Sequence, residues 1–232
     1  IPGLLGLEAG QSAFGDVYAW FGKLLLWPVN ELIMKMTWLD ESARERIREE
    51  ASGNIIAELS RQAETLDYSD TSLIALDWLN GRRTPFADQS LKGAIAGLSL
   101  GSDAPRIFRA LVEATAFGSR MINDRFIEEG LRIDGVIAIG GVAMKNPFVM
   151  QTVADVLNVP IRISATEQTC ALGSAMAASV MAGIHPDFQT AAEAMGGGFE
   201  KEYIPDPHRA EKYNELYSKY KNLGSFVENE LK

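Results

Sequence analysis

The sequence predicts an α/β fold in which helices cover both faces of a mixed, mostly parallel sheet. Short β-branched runs alternate along the chain with longer segments whose apolar residues recur at helical spacing. The clearest unit begins with the apolar run Val136–Ile139, which glycines bound on both sides and which we expect to be a strand buried on both faces. A helix capped by Asn146 follows, and Ile161–Ser164 then predicts a second strand. Because a helix connects these strands, they should pair in parallel through a right-handed crossover.

Most predicted helices begin or end at capping signals. Asp103 can cap a helix with a proline in its first turn, and Gly130 ends it. Asp206 opens the last helix in the same way. The other predicted helices are Ala13–Leu25, which Gln11 and Ser12 can cap, Glu41–Thr65, Ala171–Ala182 and Gln189–Met195. The third of these consists mainly of small residues, which indicates close packing around Gly173.

Two further short strands are predicted in the first half of the chain, at Leu73–Leu76 and Ala94–Leu100. An Asn-Gly turn signal lies between them, and Arg82 and Arg83 follow it directly. The two arginines are candidates for contact with phosphate or with a partner domain. For at least one of them, a surface turn is the simpler interpretation.

Gly140 and Gly141 mark a candidate ligand site at the C-terminal end of the predicted central strand. Open α/β sheets bind ligands outside the carboxyl ends of their strands, and glycine lets the main chain approach a ligand closely. A helix start at Asn146 would aim N–H groups at this turn, which suits an anion or a nucleotide. The turn matches neither the dinucleotide fingerprint nor a Walker A loop. Taken alone, this pattern therefore favours a tight turn that only packs a helix on the sheet.

Two residues near the beginning of the sequence are unexpected in their local surroundings. Glu8 lies in a glycine-rich apolar stretch, where a carboxylate needs a partner. A salt bridge, a capping contact and an acceptor for sugar hydroxyls are all compatible with it. Gly15 falls inside a predicted helix, where glycine costs about 1 kcal/mol relative to alanine. Either another element packs tightly there or a ligand does.

Composition excludes several classes of protein. A chain of 232 residues can bury a full core, so one domain spanning residues 1–232 is expected. A net charge of −9 argues against a nucleic-acid surface, and no apolar run reaches the length of a membrane span. The single cysteine, Cys170, can form no disulfide within the chain, which suits the cytoplasm. His185 and His208 are isolated and offer no metal-binding spacing.

Several segments resemble one enzyme family, and they occur in the family's order. They are Ile1–Phe21, Leu76–Pro85, Leu91–Arg120 and the pattern GG-x-A-x-K-N-P that begins at Gly140. On these motifs, which together reach across nearly the whole chain, the sequence resembles the FGGY carbohydrate kinases, and within them the kinases of L-ribulose. The resemblance implies an actin-like ATPase domain, which is ribonuclease H-like in its architecture.

The resemblance also implies a reaction and its site residues. The reaction is transfer of the γ-phosphoryl group of ATP, with Mg²⁺, to a primary hydroxyl of a ketopentose, L-ribulose. In the family, a Glu-Ala-Gly-Gln-Ser motif carries a sugar-contacting glutamate, which here is Glu8, and a nucleotide-contacting glycine matches Gly15. The expected ATP-binding residues are Gly15, Gly140, Gly141, Ala143, Met144 and Asn146, whereas Lys145 is left outside this set.

The same resemblance implies that part of the kinase lies outside this chain. The family's N-terminal phosphate loop, most of its sugar site and its aspartate base have no counterpart here, since the sequence lacks an Asp-x-Gly-Thr element and begins with Ile1. We therefore expect the chain to be the ATP-binding C-terminal half of a longer kinase, inactive alone. Its expected partners are ATP, the ketopentose and the missing N-terminal domain, and a homo-oligomer is compatible with the sequence.

Three competing functions remain open from the sequence. Another FGGY kinase, acting on xylulose or a polyol, is disfavoured by the context of Glu8. A non-enzymatic actin-fold module would bind nucleotide and a protein partner. A dinucleotide-dependent oxidoreductase is disfavoured by the missing fingerprint.

Overall fold

The computed structural model of the protein describes residues 5–67 and 73–231, and this part of the chain is an α/β structure, as predicted. None of the helices in these two ranges is long and apolar enough to cross a membrane. The helices are α1 (Gly15–Leu25), α2 (Trp27–Glu31), α3 (Glu41–Glu64), α4 (Ala104–Glu128), α5 (Gly141–Lys145), α6 (Pro147–Leu157), α7 (Thr169–Met181), α8 (Phe188–Met195) and α9 (Pro207–Glu230), with a 3₁₀ turn at Ile33–Lys35. The strands are β1 (Ile74–Ala75), β2 (Ile95–Ala96), β3 (Val136–Ala138), β4 (Ile161–Ser164) and β5 (Phe199–Tyr203).

The strands form two small sheets. β1 and β2 pair in the antiparallel direction, and β3, β4 and β5 form a second sheet in that order. β3 and β4 are parallel, with Val136 opposite Ile161, so the predicted strand–helix–strand unit is confirmed. The sheet is mixed, as expected, but it is less parallel than predicted, because the other pairings between β1–β5 are antiparallel.

β5 explains why the second sheet departs from the predicted parallel pattern. Two helices, α7 and α8, separate it from β4, and they return the chain to the end where β4 finishes. Phe199 therefore lies beside Ser164, and β5 runs back along β4 until Tyr203 pairs with Ile161. The sequence of β5, FEKEY, places three consecutive charged residues between two aromatic ones, and its first four residues are exposed. For this reason its sequence does not predict a strand.

Helix α4 is the centre of the hydrophobic core. Asp103 caps it as predicted, because its carboxylate accepts a hydrogen bond from the main-chain N–H of Arg106 at 3.0 Å. Every residue from Phe108 to Gly118 is buried, so this part of the helix has neighbours on all sides and not only along one stripe. α1, α3, α6 and α9 surround it.

The beginning of α1 differs from the prediction. The helix starts at Gly15, and neither Gln11 nor Ser12 caps it. The side chain of Gln11 instead reaches across the molecule and donates to Asp77 Oδ2 at 2.7 Å and to the carbonyl oxygen of Thr115 at 2.9 Å. Gly15 is therefore the first residue of a helix, so the cost of an interior glycine does not apply to it.

One face of the second sheet is exposed, which contradicts the expectation that β3 is buried on both faces. The side chain of Ile137 is 60% exposed and that of Ile139 is 48% exposed. Helix α7, expected to be closely packed, is largely exposed as well, and a Cβ added at Gly173 would meet no atom within 4 Å. The reason is that α7 packs mainly against α8, and no helix of the described ranges covers this face.

A buried polar cluster joins distant parts of the chain at the end of β1. Asp77 accepts hydrogen bonds from Gln11 and from the hydroxyl of Tyr220 on α9, each at 2.7 Å. Burial raises the pKa of the Asp77 carboxyl, and these two hydrogen bonds oppose the shift. Gly118 on α4 leaves just enough room for the cluster.

Gly118 and Gly173 form a matched pair of helix-interior glycines that tests this packing. A Cβ at residue 118 would lie 2.5 Å from both Asp77 Oδ2 and Gln11 Nε2. We expect Gly118→Ala to lower the free energy of unfolding by about 1–3 kcal/mol through overpacking. Gly173→Ala should raise it by up to about 1 kcal/mol through helix propensity. Urea denaturation measures both changes, and a Gly118→Ala variant as stable as the parent would contradict the buried contact.

Candidate functional site

The glycine turn after β3 has a conformation that only glycine adopts readily. Gly140 has φ 90° and ψ 177°, and it directly precedes α5. The short helix α5 was not predicted, and it separates the turn from α6. Asn146 caps α6 as expected, since its Oδ1 accepts a hydrogen bond from the N–H of Val149 at 3.2 Å. Asn146 therefore lies at the far end of α5 and not at the turn itself.

A largely apolar cavity opens beside the turn, and it brings three of the predicted nucleotide residues together. Its volume is about 370 Å³, within the range of small-molecule pockets, about 300–1,000 Å³. Gly15, Gly141 and Ala143 line it. The other lining residues are apolar and come from α1, β3, β4, α5 and α6: Phe14, Val136, Ala138, Ile139, Val142, Met150, Val153 and Ile161.

The remaining predicted nucleotide residues lie next to this cavity but do not line it. Gly140 shapes the turn, and Met144 is partly buried and packs against the hydrophobic core. Asn146 lines a second cavity of about 230 Å³ at the C-terminal end of α5, together with Arg61 and Lys145. The amide Nδ2 of Asn146 donates to Ser60 Oγ at 2.9 Å, which ties α6 to α3. Both polar ends of this side chain thus have protein partners.

Gly15 and Gly141 differ in how closely the protein surrounds them. A Cβ on Gly15 would approach Cγ2 of Val142 to 3.1 Å, so close packing of α1 on α5 accounts for glycine at this position. A Cβ on Gly141 would meet no atom within 4 Å, and its φ is not positive. Neither backbone strain nor packing within the described residues explains glycine at 141. A ligand in the cavity would explain it.

The segment that contains Glu8 is held by the loop that follows the Asn-Gly turn. The N–H of Gly10 donates to Thr84 Oγ1 at 3.3 Å, and the N–H of Thr84 donates to the carbonyl oxygen of Gly10 at 3.0 Å. Glu8 itself is exposed, and among residues 5–67 and 73–231 its carboxylate has no hydrogen-bond or ion-pair partner. The salt-bridge and capping interpretations of Glu8 therefore have no support in this part of the chain.

The two adjacent arginines have different surroundings. Arg82 is buried, forms an ion pair with Glu228 on α9, donates to the carbonyl oxygen of Phe86 at 3.0 Å and stacks over Trp78 at 4.8 Å. Its role is structural, but it is a buried, ion-paired residue and not the surface turn that the sequence suggested for at least one of the two arginines. Arg83 is exposed, and its guanidinium lies against the main chain of Gly10.

The sequence reasoning missed Asp77 as an organising residue of this region. The available signal was a carboxylate inside the apolar run LIALDWL, where an unpaired charge would be costly. Its partners could not be identified from the sequence, because Gln11 and Tyr220 lie 66 and 143 residues away along the chain.

Acidic, histidine and cysteine side chains are not grouped for metal binding within the described ranges. No three of them are placed to hold an ion together.

Comparison with known proteins identifies the family. The model of the C-terminal domain of the FGGY family of carbohydrate kinases matches residues 1–182. The chain is 44% identical over 228 residues to a ribulokinase of Vibrio parahaemolyticus, and 40% identical over 231 residues to a ribulokinase of Bacillus licheniformis. These alignments cover 98% and 97% of this chain but 39% of each relative, so the chain spans well under half the length of the curated relatives it matches.

Solved structures share the fold at lower identity. A xylulose kinase from Rhodospirillum rubrum superposes with a TM-score of 0.71 at 24% identity, over 94% of this chain and 39% of its own. A Plasmodium falciparum glycerol kinase, solved with ADP, gives a TM-score of 0.62 at 19% identity, over 88% of this chain and 37% of its own. The family match, the identities to ribulokinases and the shared fold agree, and this chain belongs to the FGGY family of carbohydrate kinases.

Proposed function

We propose that this chain is the nucleotide-binding domain of a kinase that transfers the γ-phosphoryl group of ATP to a primary hydroxyl of L-ribulose. The observation that carries the proposal is the apolar cavity beside Gly141, in a domain whose curated relatives are named ribulokinases. The activity for which those relatives are named belongs to polypeptides more than twice as long as the matched region. The whole reaction is accordingly proposed for the complete polypeptide and not for this domain alone.

In this proposal, the adenosine part of ATP occupies the cavity between α1 and α5. Apolar side chains from β3 and α6 would contact the adenine ring, and the exposed main chain at Gly141 would lie against it without a Cβ in between. Ala143 completes the wall, while Gly140, Met144 and Asn146 hold the turn and α5 in place. The glycerol kinase of similar fold was solved with ADP, which agrees with nucleotide binding in this architecture.

Phosphoryl transfer depends on positioning and on neutralising the charge of the phosphates, and in general a base removes the proton from the attacking hydroxyl. We assign that base to no aspartate of this chain. Asp77 is unsuitable because it is buried and accepts hydrogen bonds from Gln11 and Tyr220. Mg²⁺ would arrive with ATP and neutralise part of the phosphate charge.

The proposed partner is the rest of the kinase polypeptide, including an N-terminal domain that supplies the phosphate loop and most of the sugar site. The share of the relatives that this chain covers, 39%, supports this proposal. So does the exposure of Ile137 and Ile139, two large apolar side chains that lie open to contact with another domain. The proposed compartment is the cytoplasm, in keeping with a single cysteine that forms no disulfide.

Glu8 is proposed to accept hydrogen bonds from sugar hydroxyls. Its carboxylate is exposed and free of partners in the described ranges, and its main chain is fixed through Gly10. A carboxylate suits a polyol because each ionised oxygen accepts hydrogen bonds from hydroxyl groups.

The substrate is tested with the complete polypeptide, ATP and a panel of L-ribulose, D-ribulose, xylulose and glycerol. Nucleotide consumption should be fastest with L-ribulose. Preference for xylulose or glycerol would instead support another FGGY kinase.

Calorimetric titration of the same protein with ATP and with NAD tests for an oxidoreductase and for a non-enzymatic module. Heat with NAD alone would support the oxidoreductase, and ATP binding without any turnover would support the non-enzymatic module.

Gly141→Ala tests the nucleotide site. A Cβ at this position meets no described atom, so the free energy of unfolding should change by less than about 1 kcal/mol. If adenosine lies against Gly141, the added methyl group should weaken ATP binding about tenfold or more. Titration calorimetry with ATP and urea denaturation measure the two effects, with Gly173→Ala as the matched control. Wild-type ATP affinity in Gly141→Ala would remove Gly141 from the nucleotide site.

Glu8→Gln tests the sugar contact. It keeps the shape of the side chain but removes the charge, and loss of one charge-assisted hydrogen bond should raise the KM for L-ribulose about tenfold or more. The KM for ATP should stay unchanged, since Glu8 is proposed to contact only the sugar. The control is Glu49→Gln, which removes the charge of another exposed glutamate, on α3. Unchanged ketopentose kinetics in Glu8→Gln would show that Glu8 is not part of the site.

A further inference from the structure

We propose that Arg83 is a second sugar-binding residue, which donates hydrogen bonds to oxygen atoms of the ketopentose beside Glu8. This inference rests on the proposed function and adds to it a specific donor. It starts from the contrast between two consecutive arginines of the same loop. Arg82 is buried among protein partners, whereas no hydrogen bond, ion pair or ring contact engages Arg83 within residues 5–67 and 73–231.

The Arg83 guanidinium lies in contact with the segment that contains Glu8. A Cβ added to Gly10 would lie 2.6 Å from both Cζ and Nη1 of Arg83 and 3.0 Å from its Nε. The guanidinium therefore lies across the main chain of Gly10, two residues from Glu8. A side chain at residue 10 would displace the guanidinium, a movement that an exposed and flexible side chain makes at low cost.

The main chain on both sides of Arg83 is anchored. On one side, Arg82 is fixed by Glu228 and by the carbonyl oxygen of Phe86. On the other side, Thr84 exchanges two hydrogen bonds with Gly10. Because its backbone is held, less freedom remains to be lost when the side chain binds a ligand, and this favours affinity.

The ligand would meet Arg83 from the exposed side of the loop. The cavity behind it, which Gln11 and Ser12 also line, measures about 10 Å³ and has room for about one water molecule. The amide of Gln11 is already engaged by Asp77, Thr115 and Ser119. Among the described residues around Gly10, the Glu8 carboxylate and the Arg83 guanidinium are thus exposed charged groups that remain available for a ligand.

The chemistry of this pair fits a polyhydroxylated ketose. A guanidinium presents several N–H donors in a fixed fork, which matches two oxygen atoms on neighbouring carbons, such as a carbonyl and a hydroxyl. A carboxylate supplies only acceptors and takes the hydroxyl protons in hydrogen bonds. Together the two groups offer both kinds of hydrogen-bonding partner to one face of the sugar.

Arg83→Gln and Arg83→Lys in the complete polypeptide test the inference. Arg83→Gln should raise the KM for L-ribulose about tenfold or more and leave the KM for ATP within about twofold, because only the sugar loses a charge-assisted hydrogen bond. Arg83→Lys keeps the charge but loses the fork, so its KM for L-ribulose should lie between those of the wild type and Arg83→Gln. Arg132→Gln is the control, since this exposed arginine pairs only with Asp134 on the surface of the described chain.

The possible results separate this inference from the proposed function on which it rests. A wild-type KM for L-ribulose in Arg83→Gln, in a polypeptide that does phosphorylate ketopentoses, overturns the role of Arg83 alone. An equal rise in both KM values together with lower stability assigns Arg83 to a contact between domains and also overturns it. A wild-type polypeptide that phosphorylates no ketopentose overturns the proposed function, and this inference with it.

Discussion

The buried carboxylate of Asp77 is the interaction on which the arrangement of this domain depends. Gln11 approaches it from the segment before α1, Tyr220 from the last helix, and Gly118 of α4 leaves room for both. Removing a carboxylate from water costs several kcal/mol unless hydrogen bonds replace the lost solvation. Both donors must therefore stay in place, and the positions of α9 and of the Glu8 segment are coupled through one side chain.

The residues near this cluster are of two kinds. Some have side chains that are hydrogen-bonded within the protein, and others have exposed side chains that could bind a ligand. The side chains of Gln11 and Arg82 form hydrogen bonds or ion pairs within the protein. Each of them is close in sequence to a charged residue that forms no such bond within the described ranges. Glu8 and Arg83 are those two residues, and both are exposed around Gly10. Free groups on the outer side of a hydrogen-bonded inner layer are the arrangement that the proposed sugar site would need.

Glycine occupies three positions around the apolar cavity, and the physical reason for glycine differs from one position to the next. Gly140 is needed for a positive φ, and Gly15 for the close approach of Val142. Gly141 has neither reason within the described chain, although it lines the cavity directly. Of the predicted nucleotide residues, Gly141 therefore gives the clearest test of ligand binding. A substitution there disturbs neither the packing nor the backbone conformation of the described chain.

The sequence by itself determined the α/β class, the capped helices α4, α6 and α9, and the parallel pairing of β3 with β4. These features depend on caps, periodicity and a short helical connection, all of which are local in the chain. Only the tertiary structure decided that Gln11 serves Asp77 and does not cap α1, that β5 runs antiparallel, and that one face of β3 is exposed. The first two features depend on contacts between residues far apart in the chain, and the third depends on whether another element packs on the strand. Neither kind of information is present in the local periodicity of the sequence.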